Sequence, residues 1–148
     1  MHQIRLKKYQ IMALIAVIEF GDNDIKRYSK QYMISDCHIV HQRPYNKFSP
    51  EGMARCERLE VSVICPGRED LNLYEWYDTQ GVQNGRVVIR TTTIKTTELV
   101  SEQIIYFENA QCFHLSESYD IESASRRILK LGIEADSINI DDIVFSRA

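Results

Sequence analysis

The chain has 148 residues, 44% of them hydrophobic and 26% charged, a balance that supports one substantial buried core and excludes a disordered chain. A net charge of −3 gives no general attraction to phosphate backbones or anionic lipid, so neither nucleic acid nor a membrane surface is expected as a partner.

The basic run Arg5-Leu6-Lys7-Lys8 is short and terminal, and reads as a solvated end. The apolar stretch Ile11 to Ile18 follows it. It fits a signal peptide badly, because Glu19 and Asp22 come directly after and no small-x-small cleavage site is present. It is also too short for a bilayer span of about 20 apolar residues. A buried first strand is the better reading. Its apolar residues occupy both faces, with Leu14, Ala16 and Ile18 on one and Ile15 and Val17 on the other, whereas a strand on a monomer surface alternates. Ile15 and Val17 are therefore candidate subunit-interface residues.

Gly21-Asp22-Asn23-Asp24 marks a turn. His38 and His41 stand three apart, which on a strand points them to opposite faces, so they do not readily share a metal. Arg43 to Gly52 is the longest candidate loop, and its Tyr45 and Phe48 are apolar residues in a polar segment. They either fold back onto their own domain or meet a partner, which makes them further interface candidates.

Leu59, Val61, Val63 and Cys65 alternate with polar and β-branched residues, the period of a strand with one face on a core. Pro66-Gly67 ends that strand, and Glu69 to Tyr77 gives an apolar face for one short helix on which Trp76 is a core or docking anchor. Gln83-Asn84-Gly85 and Glu108-Asn109-Ala110 read as turns around the β-rich runs Val87 to Ile89 and Ile104 to Phe107. Leu129, Leu131, Ile133 and Ala135 alternate again, and Ile138, Ile140 and Ile143 to Phe145 suggest a last strand. The fold expected is mainly β: an antiparallel β-barrel of two packed sheets, with one short flanking α-helix over its mouth or flank.

Chemistry-bearing motifs are scarce. The four cysteines are spread without a Cys-x-x-Cys pair, as suits a reduced chain made in the cytoplasm. No Gly-x-Ser-x-Gly, P-loop or Gly-x-Gly-x-x-Gly motif occurs, and six glycines leave few loops able to approach phosphate closely. His114 is isolated, while Asp141-Asp142 and Glu69-Asp70 read as caps or solvated carboxylates. We expect no catalytic residues, no metal and no cofactor.

Leu73-Tyr74-Glu75-Trp76 after an alternating strand, a polar stretch with Asn84-Gly85, and then Ile105-Tyr106-Phe107-Glu108-Asn109-Ala110-Gln111-Cys112 resemble the Hcp (TssD) tube proteins of type VI secretion systems, in the Bacteroidetes-type branch. Ile34 to Gln42, Ser118-Tyr119-Asp120 and Arg127 to Ala135 agree in order. The resemblance runs from about Met12 to Phe145, leaving 1–11 as an added arm or an early start of a single domain over 1–148. Arg55-Cys56 stands where the family often has Gly-Gly.

The resemblance implies hexameric rings of a β-barrel with a flanking helix, stacked into a tube inside a contractile sheath. The implied partners are further copies of the chain (a homohexamer in stacked rings), the sheath, the spike and effector proteins. The chain would assemble in the cytoplasm and leave through the apparatus without a signal peptide. The alternative left open by the residues is a monomeric β-barrel that binds a small apolar ligand inside.

Overall fold

The computed structural model describes residues 12–42, 56–64, 66, 70–94, 99–119, 127–141 and 143–146. The elements run β1 (Met12–Asp22), β2 (Arg27–Gln42), β3 (Cys56–Ile64), α1 (Asn72–Thr79), β4 (Gln83–Thr93), β5 (Leu99–Tyr119), β6 (Arg127–Ala135), β7 (Ser137–Ile140) and β8 (Ile143–Ser146). The strands pair antiparallel in the order β1-β2-β3-β6-β5-β4, and β4 returns to β1, so the sheet closes on itself; β7 and β8 extend it beside β5.

Two long strands make the closure. The first half of β2 pairs with β1 and its second half with β3, with a bulge between Ile34 and Asp36. The first half of β5 pairs with β4 and its second half with β6, with a bulge between Cys112 and His114. A bulge bends its strand, which lets β2 and β5 pass from one wall to the other. One wall is built on β1 and β4, the other on β3 and β6. This is the expected antiparallel barrel, with one short helix among the described residues, its two packed layers being opposite walls of a single closed sheet.

The interior follows from the alternation. Leu59, Val61 and Val63 from β3 and Leu129, Leu131 and Ile133 from β6 face Ile18, Val87, Ile105 and Phe107 from the other wall, all buried in one cluster. Phe20 meets Tyr32, Trp76 and Phe107 edge-on at centroid distances of 6.1, 5.2 and 5.9 Å, the arrangement that aromatic quadrupoles favour. With the inner positions filled by side chains closed to water, the space that a ligand inside the barrel would need is already occupied.

Helix α1 is capped from outside its own span. Asp70 Oδ1 accepts from the Asn72 backbone N–H at 3.0 Å, while Tyr32 donates its hydroxyl to Oδ2 at 2.6 Å and so ties the helix start to β2. The helix ends where Gln80 takes a left-handed conformation at φ 56°.

Four expectations are corrected. The helix spans Asn72–Thr79 rather than Glu69 to Tyr77, and buries Leu73 and Trp76 while Tyr77 faces water. Gln83-Asn84-Gly85 is no turn but the start of β4. Glu108-Asn109-Ala110 is likewise a kink inside β5, with Asn109 at φ 50°. These two motifs bind each other, because the Asn109 N–H donates to Asn84 Oδ1 at 2.8 Å. Gly85 serves close packing: a Cβ there would run into the Glu19 carbonyl oxygen and the Phe107 ring. The last strand is two, β7 and β8, separated at Asp141 with φ 49°.

Candidate assembly interface

The two walls turn different chemistry outward. On the β1/β4 wall one row of cross-strand partners runs Met33, Val17, Val88 and Ile104. These positions alternate with the core residues of the same strands, so along this one row the wall is apolar on both sides. Directly opposite pairs of this kind stabilise a sheet by burying one another. Val17 is only 8% exposed, lying between Val88 and Met33, whereas Met33 is 57% exposed and Ile15, opposite Arg90, 45%. The row is bordered by the pairs Arg90–Glu102 at 2.8 Å and Arg86–Glu19 at 3.2 Å.

On the β3/β6 wall the outward rows are mostly polar, apart from the Ile64–Ile128 pair at one end and the partly exposed Phe113. His38, Glu60, Gly132 and His114 form one row, and Asp36, Ser62 and Lys130 the next. Ser62 donates to Asp36 Oδ1 at 3.2 Å, and the Arg58 guanidinium lies 4.9 Å over the Phe113 ring. Within the apolar row Val17 and Val88 are covered by their own chain, Val88 being 1% exposed, so the accessible apolar side chains on this side are Met33 and Ile15.

The family model for hemolysin coregulated protein Hcp (TssD) matches residues 10–148. The chain belongs to the Hcp (TssD) family. No curated protein matches it in sequence. Its fold is similar to that of Hcp1 from Flavobacterium johnsoniae, at 13% identity and a TM-score of 0.60, over 89% of this chain and 98% of that one. It is also similar to Hcp1 from the E. coli EAEC 042 pathovar, at 11% identity and a TM-score of 0.61, over 92% and 99%. Hcp1 from Salmonella typhimurium follows at 8% identity and a TM-score of 0.55, over 85% and 83%. At such identities the structures speak for the Hcp fold, and the family match carries the role. The chain is a tube subunit of a type VI secretion system. Hcp proteins assemble with themselves inside a sheath and are secreted through the system.

The residues singled out from sequence fall into three groups. Ile15 and Val17 both point outward from β1, but only Ile15 is accessible. Trp76 is buried on the inner side of α1, and its Nε1–H donates to the carbonyl oxygens of Gly81 at 2.8 Å and Ala110 at 3.2 Å, joining helix to sheet. Tyr45 and Phe48 lie outside the described residues.

Sequence reading missed Met33 and Val88, which complete the apolar row, and Glu57. Glu57 is fully buried on the inner side of β3, where His41 Nδ1 contacts its Oε2. Two residues of further alternation back from Leu59 would have placed it there. His38, by contrast, stands outward opposite Glu60, so the two histidines do face apart. Burial pushes the Cys37 and Cys112 thiols up to about 11; Asp36 adds to the first, and a hydrogen bond with the His114 backbone partly offsets the second. Both thiols therefore stay protonated near neutral pH and are poor nucleophiles. Among the described residues no group of three or more His, Cys, Asp or Glu could hold a metal, and no helix is long and apolar enough to cross a membrane.

Proposed function

We propose that the outward side of the β1/β4 wall, with Met33 of the apolar row and Ile15 of the neighbouring Arg90–Glu102 row as its accessible apolar residues, is the surface through which neighbouring copies close the Hcp ring. The observation that carries this reading is the exposure of Met33 and Ile15 on this wall, against the mostly polar outward rows of the β3/β6 wall. Closed rings need head-to-tail contacts between unlike faces, and an apolar patch on one wall supplies one half of such a pair. Tyr45 and Phe48 are proposed as further contacts.

A compact chain of this length approximates a sphere about 38 Å across. Six such spheres in a ring leave a hole as wide as one of them, room for a small folded effector. Effectors inside the tube, a spike at its tip and export without a signal peptide belong to this proposal, as does a purely structural, non-catalytic role without cofactor.

The test is Ile15→Asp, read by light scattering and far-ultraviolet circular dichroism. The variant is expected to fold and to run as a monomer, because a charge at a contact that excludes water is strongly disfavoured. A ring-sized mass for the folded variant would remove Ile15 from the interface.

A further inference from the structure

Helix α1 is held to the barrel by unlike ties at its two ends. At the N-terminal end the tie is the Asp70 carboxylate. Its Oδ2 accepts from the Tyr32 hydroxyl of β2 at 2.6 Å, and its Oδ1 accepts from the Asn72 backbone N–H at 3.0 Å and side-chain amide at 2.6 Å. One carboxylate thus caps the helix and fastens it to the sheet. At the other end the Trp76 indole N–H donates to the Gly81 and Ala110 carbonyls, and the Gln111 amide of β5 donates to the Gln80 carbonyl at 3.1 Å. An indole and an amide keep their protons from acid to neutral pH. A carboxylate does not, and on protonation one of its two acceptor oxygens becomes a donor.

Tyr32 and Lys30 face Asp70 from β2, and Glu75 lies further along α1 on the same groove. Arg68 and Glu69, which precede it in sequence, lie outside the described residues. Partial burial pushes the Asp70 carboxyl up, but the bonds from Tyr32 and Asn72 and the Lys30 charge outweigh it and hold the carboxyl below its usual range. A carboxyl lowered in this way stabilises the fold above its unfolded value, and that share is lost as pH falls through the folded one. Burial and the Asp70 bond push the Tyr32 phenol up, so its proton is in place throughout. Beneath the helix the tie covers a groove of about 320 Å³ against the β1–β2 hairpin, floored by Phe20, Tyr32, Leu73 and Trp76. Midway along α1, Tyr74 donates a further hydrogen bond to Glu117 of β5.

We propose that α1 is an acid-released latch with one free end: protonation of Asp70 lets the stretch from Leu71 to Leu73 lift from β2, while Tyr74 and Trp76 keep the rest of the helix on β5. The release uncovers the Phe20 and Tyr32 rings, which are buried at neutral pH.

The experiment is hydrogen exchange of the full chain, read by mass spectrometry from neutral pH down to about pH 2 and corrected for the intrinsic exchange rate. The emission of Trp76, the one tryptophan of the chain, reports on the other end of the helix in the same samples. Protection of peptides covering 71–75 is expected to fall about five- to tenfold in acid, the size of one lost cap, while the Trp76 emission stays unchanged. Asp70→Asn should show the loosened end already at neutral pH and little further change in acid. An acid response in Asp70→Asn equal to that of the unmodified chain overturns the proposal. So does a response that disappears in Tyr74→Phe, or a Trp76 emission that shifts together with the first turn. Tyr32→Phe keeps Asp70 and its cap, and replaces Asp70→Asn should that variant fail to fold. Its acid response should be smaller than that of the unmodified chain, and an undiminished one overturns the proposal as well.

Discussion

The outward sides of the β1/β4 and β3/β6 walls stand over the same core and share the same strand geometry, yet one presents Met33, Val17, Val88 and Ile104 and the other His38, Glu60, Gly132 and His114. Folding requires only that inner positions be apolar, and both walls meet that requirement. Val17 and Val88 are covered within their own chain, so only the exposed Met33 and Ile15 call for a separate cause, and the proposed contact between copies supplies one.

The largest predicted effect tests what the walls share. Trp76→Ala removes the indole between Phe20 and Ala110 and should lower stability by about 3 to 5 kcal/mol in urea unfolding, the usual range for emptying a large core site. A loss below about 1 kcal/mol would mean that the helix does not depend on that anchor.

Val17→Asp comes next and separates folding from assembly on the apolar wall. With the side chain almost enclosed between Val88 and Met33, an aspartate there should lower monomer stability by about 3 kcal/mol, whereas Ile15→Asp should leave it nearly unchanged. Equal losses for the two variants would show that the wall is one buried layer and that its exposed edge has no separate role.

On the polar wall, Gly132→Ala places a Cβ 2.8 Å from Phe113 Cζ and 3.0 Å from His114 Cβ. Phe113 is partly exposed and can swing aside, so the expected loss is about 1 kcal/mol with ring mass unchanged. Lys130→Glu on the same wall should change stability by less than about 0.5 kcal/mol and leave the scattering mass as it was. A monomer from Lys130→Glu would make the polar wall an interface as well and erase the contrast.

Strand periodicity made most of the barrel legible in advance: β3 and β6 follow from alternation alone, and the helix from the one stretch that breaks it. What periodicity does not carry is register between strands. Ile15 and Val17 are equivalent by alternation, and only the pairing of Val17 with both Met33 and Val88 shows that one is covered within its own chain and the other is not. Asn84-Gly85 was misread because Asn and Gly signal turns locally, while here the glycine answers a crowded strand crossing and the asparagine a kink in the next strand. The burial of Glu57 follows from alternation carried back from Leu59, but its contact with His41 was not legible, since the two are brought together only by the β2–β3 pairing.

The most direct test of the account is the light-scattering mass of the unmodified protein across a wide concentration range. The account predicts six times the 17.3 kDa of one chain, or multiples of that ring as tubes form. A mass that stays at one or two chains at every concentration would contradict it.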